Sequence, residues 1–204
     1  MTIERGDGLL VVIEGIDGGG KTTLQNGLAE SLRKQGHTVV ETKEPTEGPI
    51  GKKIRALAAT DRSQITAKEE FALFHEDRKV HVQEVVLPAL ERKEIVIQDR
   101  SYFSTVAYQG ERGLDREELY EESKKVAPEP DVLLVVDLPA ELALERIRTQ
   151  RSQGTDDFEK LDALARIRRV FSGLSEAHHL DGTLNPEELR VRALEIINEE
   201  LPRK

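Results

Sequence analysis

Short apolar runs alternate along the chain with stretches whose apolar residues recur every three or four positions. The runs, which are rich in β-branched residues, predict five strands at Leu9–Ile13, Thr38–Thr42, Ile95–Gln98, Val132–Val136 and His178–Leu180. The fourth run is apolar throughout, which is typical of a parallel strand covered on both faces. The pattern therefore indicates strands that are buried inside a layered domain.

The segments between these runs carry helical periodicity. One apolar stripe consists of Leu24, Leu28 and Leu32. Gly36 is placed to end that helix. A long helix is predicted to carry Phe71, Phe74, Arg78, His81 and Val85 on one face. Near the end of the chain, Asn185-Pro186 followed by Glu188 is typical of a helix N-cap and first turn.

This alternation of strands and helices predicts the fold class. Helices that follow each strand pack on both faces of a parallel sheet, which gives a doubly wound α/β domain. Ligands of such domains bind at the carboxyl ends of the strands. The sequence has no internal repeat, low-complexity tract or linker, so a single domain is predicted over residues 1–204.

The first predicted strand runs directly into a glycine-rich loop, Gly15-Ile16-Asp17-Gly18-Gly19-Gly20-Lys21-Thr22-Thr23, which opens the first helix. Glycines let backbone N–H groups turn toward phosphate oxygens, and the helix directs its positive end at the same point. Lys21 is placed to reach the β- and γ-phosphates of a nucleoside triphosphate, and Thr22 to ligate Mg²⁺. A chance glycine-rich turn is the alternative, but the flanking strand and helix favour a nucleotide site.

Composition restricts the classes of partner. The net charge of −9 argues against a nucleic-acid binder, so positive potential is expected only locally, around phosphates. The absence of cysteine excludes disulfides, thiolate catalysis and cysteine metal sites. The sequence has neither an apolar signal core nor an apolar run of membrane length, so a cytoplasmic protein that binds no membrane is expected.

Two predicted strands are followed by aspartate, and either carboxylate is a candidate for the water shell of Mg²⁺. Asp99 precedes Arg100, whose guanidinium at the floor of the crevice suits phosphate oxygens. A strand-end salt bridge between these two residues is the alternative. Asp137, which precedes Leu138 and Pro139, fits a helix N-cap better than a metal site.

An arginine-rich segment, residues 146–151, leads into a polar loop that contains glycine. Such a segment suits a lid that closes over ATP and brings positive charge to the transferring phosphoryl group. The alternative is a solvated helix face with ion pairs such as Arg148 and Glu141. The sequence has no Asn-Lys-x-Asp guanine-binding motif, which argues against a GTPase switch.

Together these motifs resemble the thymidylate kinases, a family of P-loop nucleoside-monophosphate kinases. The segments that carry the resemblance are Glu14–Thr22, Glu44–Gly48, Leu73–Arg78, Asp99–Gly110 and Asp156–Glu159. They occur in the family's order, and the segment after the third strand is the most specific. The resemblance implies a P-loop NTPase fold with a five-stranded parallel sheet in the order 2-3-1-4-5, a short lid over about residues 148–160, and a homodimer.

The resemblance also implies how the acceptor, dTMP, is held. Phe74 would stack on thymine, Arg78 would donate to a base carbonyl, and the amide of Gln109 would match the base edge. Tyr108 would lie beside the sugar and disfavour a 2′-hydroxyl. The remaining implied acceptor contacts are Asp17, Pro45, Arg100 and Phe158, with Arg100 on the phosphate and Asp17 near the 3′-hydroxyl or the metal shell. Without the resemblance, the pattern favours a core position for Phe74.

For the donor, ATP, the resemblance implies that Lys21, Arg100 and a lid arginine surround the in-line transfer. The implied ligands of Mg²⁺ are Thr22, Asp99 and Glu159. Relatives with glycine at the position of Gly18 place the assisting arginine in the lid. This makes Arg151 the first candidate and Arg148 the second.

The sequence departs from the family pattern at two places. Asp157 occupies a lid position at which an arginine is frequent, and the loop after Pro45 lacks a nearby arginine. Binding of the acceptor phosphate is therefore expected to depend more on Arg100, with help from Lys52 or Lys53.

The sequence thus predicts ATP- and Mg²⁺-dependent phosphorylation of dTMP to dTDP. One alternative is a kinase for a deoxynucleoside or for another monophosphate, although the phosphate clamp at Arg100 favours a monophosphate. The other is a nucleotide-binding regulatory module whose altered lid has lost turnover. The presence of Lys21, Thr22, Asp99 and Arg100 argues against that module.

Overall fold

The structure, a computed structural model, describes residues 3–58, 65–150 and 157–201, without the side chains of residues 150 and 157–160. In chain order the elements are β1 (Leu9–Glu14), α1 (Lys21–Lys34), β2 (Val39–Lys43), α2 (Pro49–Ala58), α3 (Ala67–His81), a π-helical segment (Val82–Val86), α4 (Leu87–Glu91), β3 (Ile95–Asp99), α5 (Tyr102–Glu111), α6 (Arg116–Lys124), β4 (Val132–Asp137), α7 (Ala140–Gln150), α8 (Asp157–Ser172), β5 (His178–Asp181) and α9 (Pro186–Glu200).

The strands form one parallel sheet in the order β2-β3-β1-β4-β5, as predicted. Each strand ends one residue later than its apolar run, and the added residues are Glu14, Lys43, Asp99, Asp137 and Asp181. The reason is that backbone pairing continues where apolar burial stops, as in the pair of Asp137 with Asp181. The strands therefore deliver polar side chains to the crevice at their carboxyl ends.

Alternate residues of the central strand face two separate hydrophobic cores. Leu10 and Val12 belong to the core shared with α5 and α8. Val11 and Ile13 belong to the core shared with α1 and α9. Because both faces of the sheet are covered by helices, the predicted doubly wound architecture is confirmed.

The end of α1 confirms the role predicted for Gly36. This residue has a φ of 90°, in the left-handed region that favours glycine. The His37 N–H donates to the Leu32 carbonyl at 3.1 Å, and the Gly36 N–H donates to the Arg33 carbonyl at 3.0 Å. These bonds form a Schellman motif, which turns the chain toward β2.

The long helix predicted around Phe74 is interrupted by a π-helical turn. Helix α3 ends at His81, the π-helical segment covers Val82–Val86, and α4 follows without a loop. Pro88 lies just after the π-helical segment. Proline has no N–H to donate to the preceding turn, and its ring would clash with a carbonyl of that turn in a regular α-helix, so the wider π-helical turn accommodates it. The hydrophobic period did not predict this change of pitch.

Among the described residues, no helix has the length and apolar content needed to cross a bilayer.

The predicted N-cap of α9 is present, and its contribution to stability is testable. The Asn185 side-chain oxygen accepts hydrogen bonds from the N–H groups of Glu187 and Glu188, at 3.1 and 3.0 Å. Asn185→Ala should lower the free energy of unfolding by about 1 kcal/mol, because these donors lose their partner. Asn185→Asp retains the acceptor and should stay close to the wild type. Urea unfolding with an unchanged m-value measures both, and equal losses would contradict the capping role.

Candidate active site

The glycine-rich loop packs against the sheet and α7 at points where no side chain fits. Gly15, Gly18 and Gly20 have φ values of 137°, 80° and 88°. A Cβ on Gly15 would lie 2.6 Å from the Val136 carbonyl oxygen, and one on Gly18 would lie 2.5 Å from that of Ala143. Glycine is therefore required at both positions for the loop to adopt its course.

The loop forms one wall of a cavity of about 650 Å³. The opposite wall contains Arg146 and Ile147 of α7 and the segment that joins β5 to α9. Helix α1 points its N-terminus into this cavity and has no acidic residue in its first turn. The orphan N–H groups and the positive end of the helix dipole thus make an anion site.

Lys21 lies buried beneath the loop. Its Nζ donates to the carbonyl oxygens of Gly15 at 3.0 Å and Ile16 at 2.9 Å. Burial, and then the positive charge of Arg100, lower the pKa of Lys21 to about 8. A phosphate ligand would offset both effects, so anion binding here is coupled to the protonation of Lys21.

Two of the three residues predicted for Mg²⁺, Thr22 and Asp99, lie together. The Thr22 hydroxyl donates to Asp99 Oδ2 at 2.8 Å. The other oxygen, Asp99 Oδ1, is buried and has no hydrogen-bond partner among the residues that the structure describes. This donor set fits a hard cation, which prefers oxygen ligands. Among the described residues there is no cluster of three or more His, Cys, Asp or Glu side chains that could hold a metal ion.

Arg100 reaches from the end of β3 across the floor of the crevice. Its backbone has a φ of 70° and donates its N–H to the Ile13 carbonyl at 2.9 Å. Its guanidinium donates to Ser104 Oγ and to Asp17 Oδ1, each at 2.7 Å, and lies 5.0 Å from the centre of the Tyr108 ring. Burial opposes its charge, but Tyr108, Asp17 and Glu14 raise its pKa above the usual range. Arg100 thus pairs with Asp17 and not with Asp99, the alternative that the sequence had left open.

A second cavity of about 310 Å³ begins on the other side of Arg100. Every predicted acceptor residue with a described side chain lies in its wall: Asp17, Pro45, Phe74, Arg78, Arg100, Tyr108 and Gln109. Phe74 is only half-buried, which agrees with a stacking surface and not with the core position that the pattern alone favoured. The side chain of Phe158 lies outside the described part.

Arg78 is held in this wall by a buried network. Its Nε donates to Glu44 Oε2 at 2.9 Å, and its Nη2 donates to Thr105 Oγ1 at 2.9 Å. Glu44 also contacts His81 Nδ1 at 3.1 Å. Burial alone would raise the pKa of Glu44, but the charge of Arg78 and the His81 contact lower it below the usual value. The guanidinium is therefore held in place by protein groups on several sides.

The two cavities share two residues, Asp17 and Arg100. One cavity has a glycine-rich loop and a helix N-terminus, which suit phosphates, and the other has an aromatic side chain beside polar groups. Two ligands that occupy them would meet at Arg100.

Comparison with known proteins agrees with this geometry. The family model described as thymidylate kinase matches residues 13–192. The chain belongs to the thymidylate kinase family. It is 46% identical over 200 residues to the thymidylate kinase of Xanthomonas oryzae pv. oryzae (strain PXO99A). These 200 aligned residues cover 97% of this chain and 86% of that protein.

Two further relatives show the same similarity. The thymidylate kinase of Desulfotalea psychrophila is 44% identical over 168 residues, 82% of each chain. That of Xanthomonas campestris pv. campestris (strain B100) is 48% identical over 175 residues, 85% of this chain and 75% of that protein. The predicted family and its class, phosphotransferase, are therefore confirmed.

Three residues of this thymidylate kinase site were missed by the sequence analysis. The first is Glu14, a fully buried carboxylate at the end of β1. It accepts hydrogen bonds from the backbone N–H groups and hydroxyls of Ser101 and Ser104, at 2.6–3.1 Å. Burial raises the pKa of Glu14 despite the opposing charge of Arg100. Because Ser104 also accepts from Arg100, Glu14 supports the arginine through one intermediate.

The second missed residue is Arg55 on α2, which lies in the wall of the second cavity. Its Nη1 donates to the Pro45 carbonyl at 2.8 Å, and its Nη2 donates to Glu47 at 2.8 Å. Lys52 and Lys53, the expected helpers of Arg100, are exposed and are not part of that wall. The sequence did contain a signal for Arg55. It directly follows Ile54, an apolar position of the helical pattern that is buried, so the pattern places Arg55 near the edge of the packed face of α2.

The third is Arg146, which lies in the wall of the first cavity and donates to the Gly18 and Gly182 carbonyls at 3.4 and 3.2 Å. Arg148, the predicted residue of the same helix, is exposed and is not part of that wall. Arg151 lies outside the described residues, and so does the side chain of Glu159.

Asp137 caps no helix, since α7 begins at Ala140 and the carboxylate accepts from Arg168 at 2.6 and 2.9 Å.

The lowered pKa of Lys21 predicts proton uptake on nucleotide binding. With a pKa of about 8, roughly three quarters of the Lys21 side chains are neutral at pH 8.5 in the free protein. If bound phosphates raise that pKa, ATP binding takes up protons at pH 8.5 and its affinity falls as the pH rises through 8. Calorimetry in buffers of different ionisation enthalpy measures the uptake.

Lys21→Arg is the matched control, because a guanidinium remains protonated at this pH. Its ATP binding should show no comparable uptake. The same uptake in both proteins would assign the proton to another group.

Proposed function

We propose that this chain transfers the γ-phosphoryl group of ATP to dTMP and releases dTDP and ADP. ATP occupies the first cavity and dTMP the second. The observation that carries the proposal is the sharing of Asp17 and Arg100 by both cavities, which brings the reacting phosphates to one place. The names of the relatives support the choice of dTMP.

On the donor side, the loop amides and the N-terminus of α1 bind the phosphates, and Lys21 neutralises the β- and γ-phosphates. Arg146 lies in the wall of this cavity. Thr22 and Asp99 would hold Mg²⁺, which would supply positive charge to the phosphate oxygens.

On the acceptor side, Phe74 stacks on the base, and the edge of the base faces Arg78 and Gln109. Tyr108 packs beside the sugar, where its ring leaves little room for a 2′-hydroxyl. Arg100 and Arg55 bind the phosphate that accepts the transferred group. Their fork geometry suits phosphate oxygens better than a lysine ammonium does.

The transfer needs no protein nucleophile. An oxygen of the dTMP phosphate attacks the γ-phosphorus, and the bond from that phosphorus to the β–γ bridging oxygen breaks in line. Lys21 and Arg100 stabilise the charge on the oxygens and hold the reactants in contact. Positioning and charge stabilisation are therefore the main catalytic contributions.

Several predictions of the sequence remain part of this proposal. The lid arginine that assists transfer is Arg151, with Arg148 second, and Phe158 and Glu159 contribute to the substrate and metal sites. The chain acts as a cytoplasmic homodimer. Light scattering of the purified protein measures the mass of the assembly.

An ADP-release assay against a panel of acceptors tests the proposed function. The panel is dTMP, dUMP, dCMP, dAMP, dGMP and thymidine, each with ATP and Mg²⁺. We expect the highest kcat/KM with dTMP, because thymidine lacks the phosphate that Arg100 binds. A higher value with another acceptor would reassign the substrate, and no release with any acceptor would favour the regulatory module.

The two arginines of the acceptor site should act on dTMP more than on ATP. Arg55→Ala should raise the KM for dTMP about 10- to 100-fold, since one charge-assisted contact to phosphate is lost. Arg100→Ala should lower kcat/KM further and leave ATP affinity, measured by calorimetry without dTMP, nearly unchanged. Lys53→Ala, an exposed change on the same helix, is the control. A loss of ATP affinity in either variant that is as large as its effect on dTMP would contradict the assignment of these arginines to the acceptor site.

A further inference from the structure

The amide of Gln109 is held from behind by a residue that belongs to neither cavity wall among the described residues. Gln109 Nε2 donates to Glu70 Oε2 at 3.0 Å, and both side chains are buried. Arg112 Nη1 donates to the same oxygen at 2.7 Å, and its Nη2 donates to the Ile65 carbonyl at 2.6 Å. Glu70 is thus itself fixed by the end of α5.

This contact determines which end of the amide faces Glu70. A carboxylate paired with a guanidinium at 2.7 Å is ionised and only accepts hydrogen bonds. The atom of Gln109 that lies 3.0 Å from it must therefore be the amino group. Because the amide is planar, its carbonyl oxygen is directed away from Glu70. Among the described residues nothing donates to that oxygen, and Gln109 forms part of the wall of the second cavity.

We propose that Glu70 is a positioning residue that sets the amide of Gln109 so that its carbonyl accepts a hydrogen bond from a ring N–H of the base, and thereby selects thymine over cytosine. This inference rests on the proposed placement of dTMP. Thymine offers an N–H donor at ring position 3 next to a carbonyl acceptor, and the carbonyl of Gln109 lies in the same wall as the guanidinium of Arg78. Cytosine presents the reverse pattern, a ring acceptor next to an amino donor.

A free amide would not discriminate in this way. If nothing fixed Gln109, its amino group could turn toward the base and donate to the ring nitrogen of cytosine at little cost. With Glu70 in place, that rotation brings the Gln109 carbonyl against a carboxylate, and two acceptors then face each other in a buried site. Glu70 thus opposes cytosine without contacting the base.

The readout is the ratio of kcat/KM for dTMP to kcat/KM for dCMP. Glu70→Met keeps the length of the side chain and removes the acceptor, so the ratio should fall at least about 10-fold, which corresponds to one misdirected hydrogen bond. Glu70→Gln keeps a carbonyl that Arg112 can orient, so the ratio should stay within about threefold of the wild type. Glu76→Ala, an exposed change on the same helix, should leave the ratio unchanged.

A merely structural role for Glu70 predicts a different result. Both acceptors would then lose activity in proportion, and an unchanged ratio in a folded Glu70→Met protein would overturn the proposal. If Glu70→Met is poorly folded, the double variant Glu70→Gln/Arg112→Gln removes the charge pair but keeps the side-chain lengths. Its amides are free to rotate, so the ratio should fall as far, and an unchanged ratio would again overturn the proposal.

Gln109→Ala separates this inference from the proposed function. If that variant changes the ratio and Glu70→Met does not, Gln109 contacts the base and only the role of Glu70 is wrong. If Gln109→Ala leaves the ratio unchanged, the base is not placed against Gln109 and the acceptor site itself must be reassigned.

Discussion

Buried carboxylates at the carboxyl ends of three neighbouring strands are the constraint on which the site depends. Glu14, Glu44 and Asp99 lie at or just after the ends of β1, β2 and β3, and none is more than 7% exposed. A buried carboxylate is costly unless hydrogen bonds or opposite charges compensate it. Glu14 and Glu44 find hydrogen-bond partners on helices that carry candidate ligand-binding groups, and Asp99 accepts one from Thr22, so the same contacts stabilise this edge of the sheet and shape the site.

The same contacts that compensate burial also orient the binding groups. Glu44 fixes Arg78, and Glu14 supports Arg100 through Ser104. Breaking a buried pair by removing one partner costs about 3–5 kcal/mol, because the remaining charge is left uncompensated. The residues that touch ligands therefore cannot be changed independently of the fold. A loss of activity in such a variant has to be compared with its stability before it is assigned to binding.

The sequence predicted the features that depend on local pattern, but it did not predict those that depend on how helices pack against the sheet. Apolar periodicity located the five strands, and the spacing from Gly15 to Thr22 predicted the glycine-rich loop as a phosphate site. The roles of Arg55 and Arg146 depend on how α2 and α7 rotate against the cavities, and periodicity cannot distinguish one arginine of a helix from its neighbours. The contact between Glu70 and Gln109 joins residues 39 positions apart. No short motif contains such a pair.

The distribution of charge explains how an acidic protein binds two anions. The net charge is −9, yet Lys21, Arg146, Arg100 and Arg55 all face the two cavities. These cations are held by carbonyl oxygens of the loops and by carboxylates such as Asp17. When a phosphate binds, its oxygens would replace these acceptors, and the lysine and arginine donors would need little rearrangement. The net charge of −9 disfavours other polyanions, so local groups such as these are needed for any anion to bind.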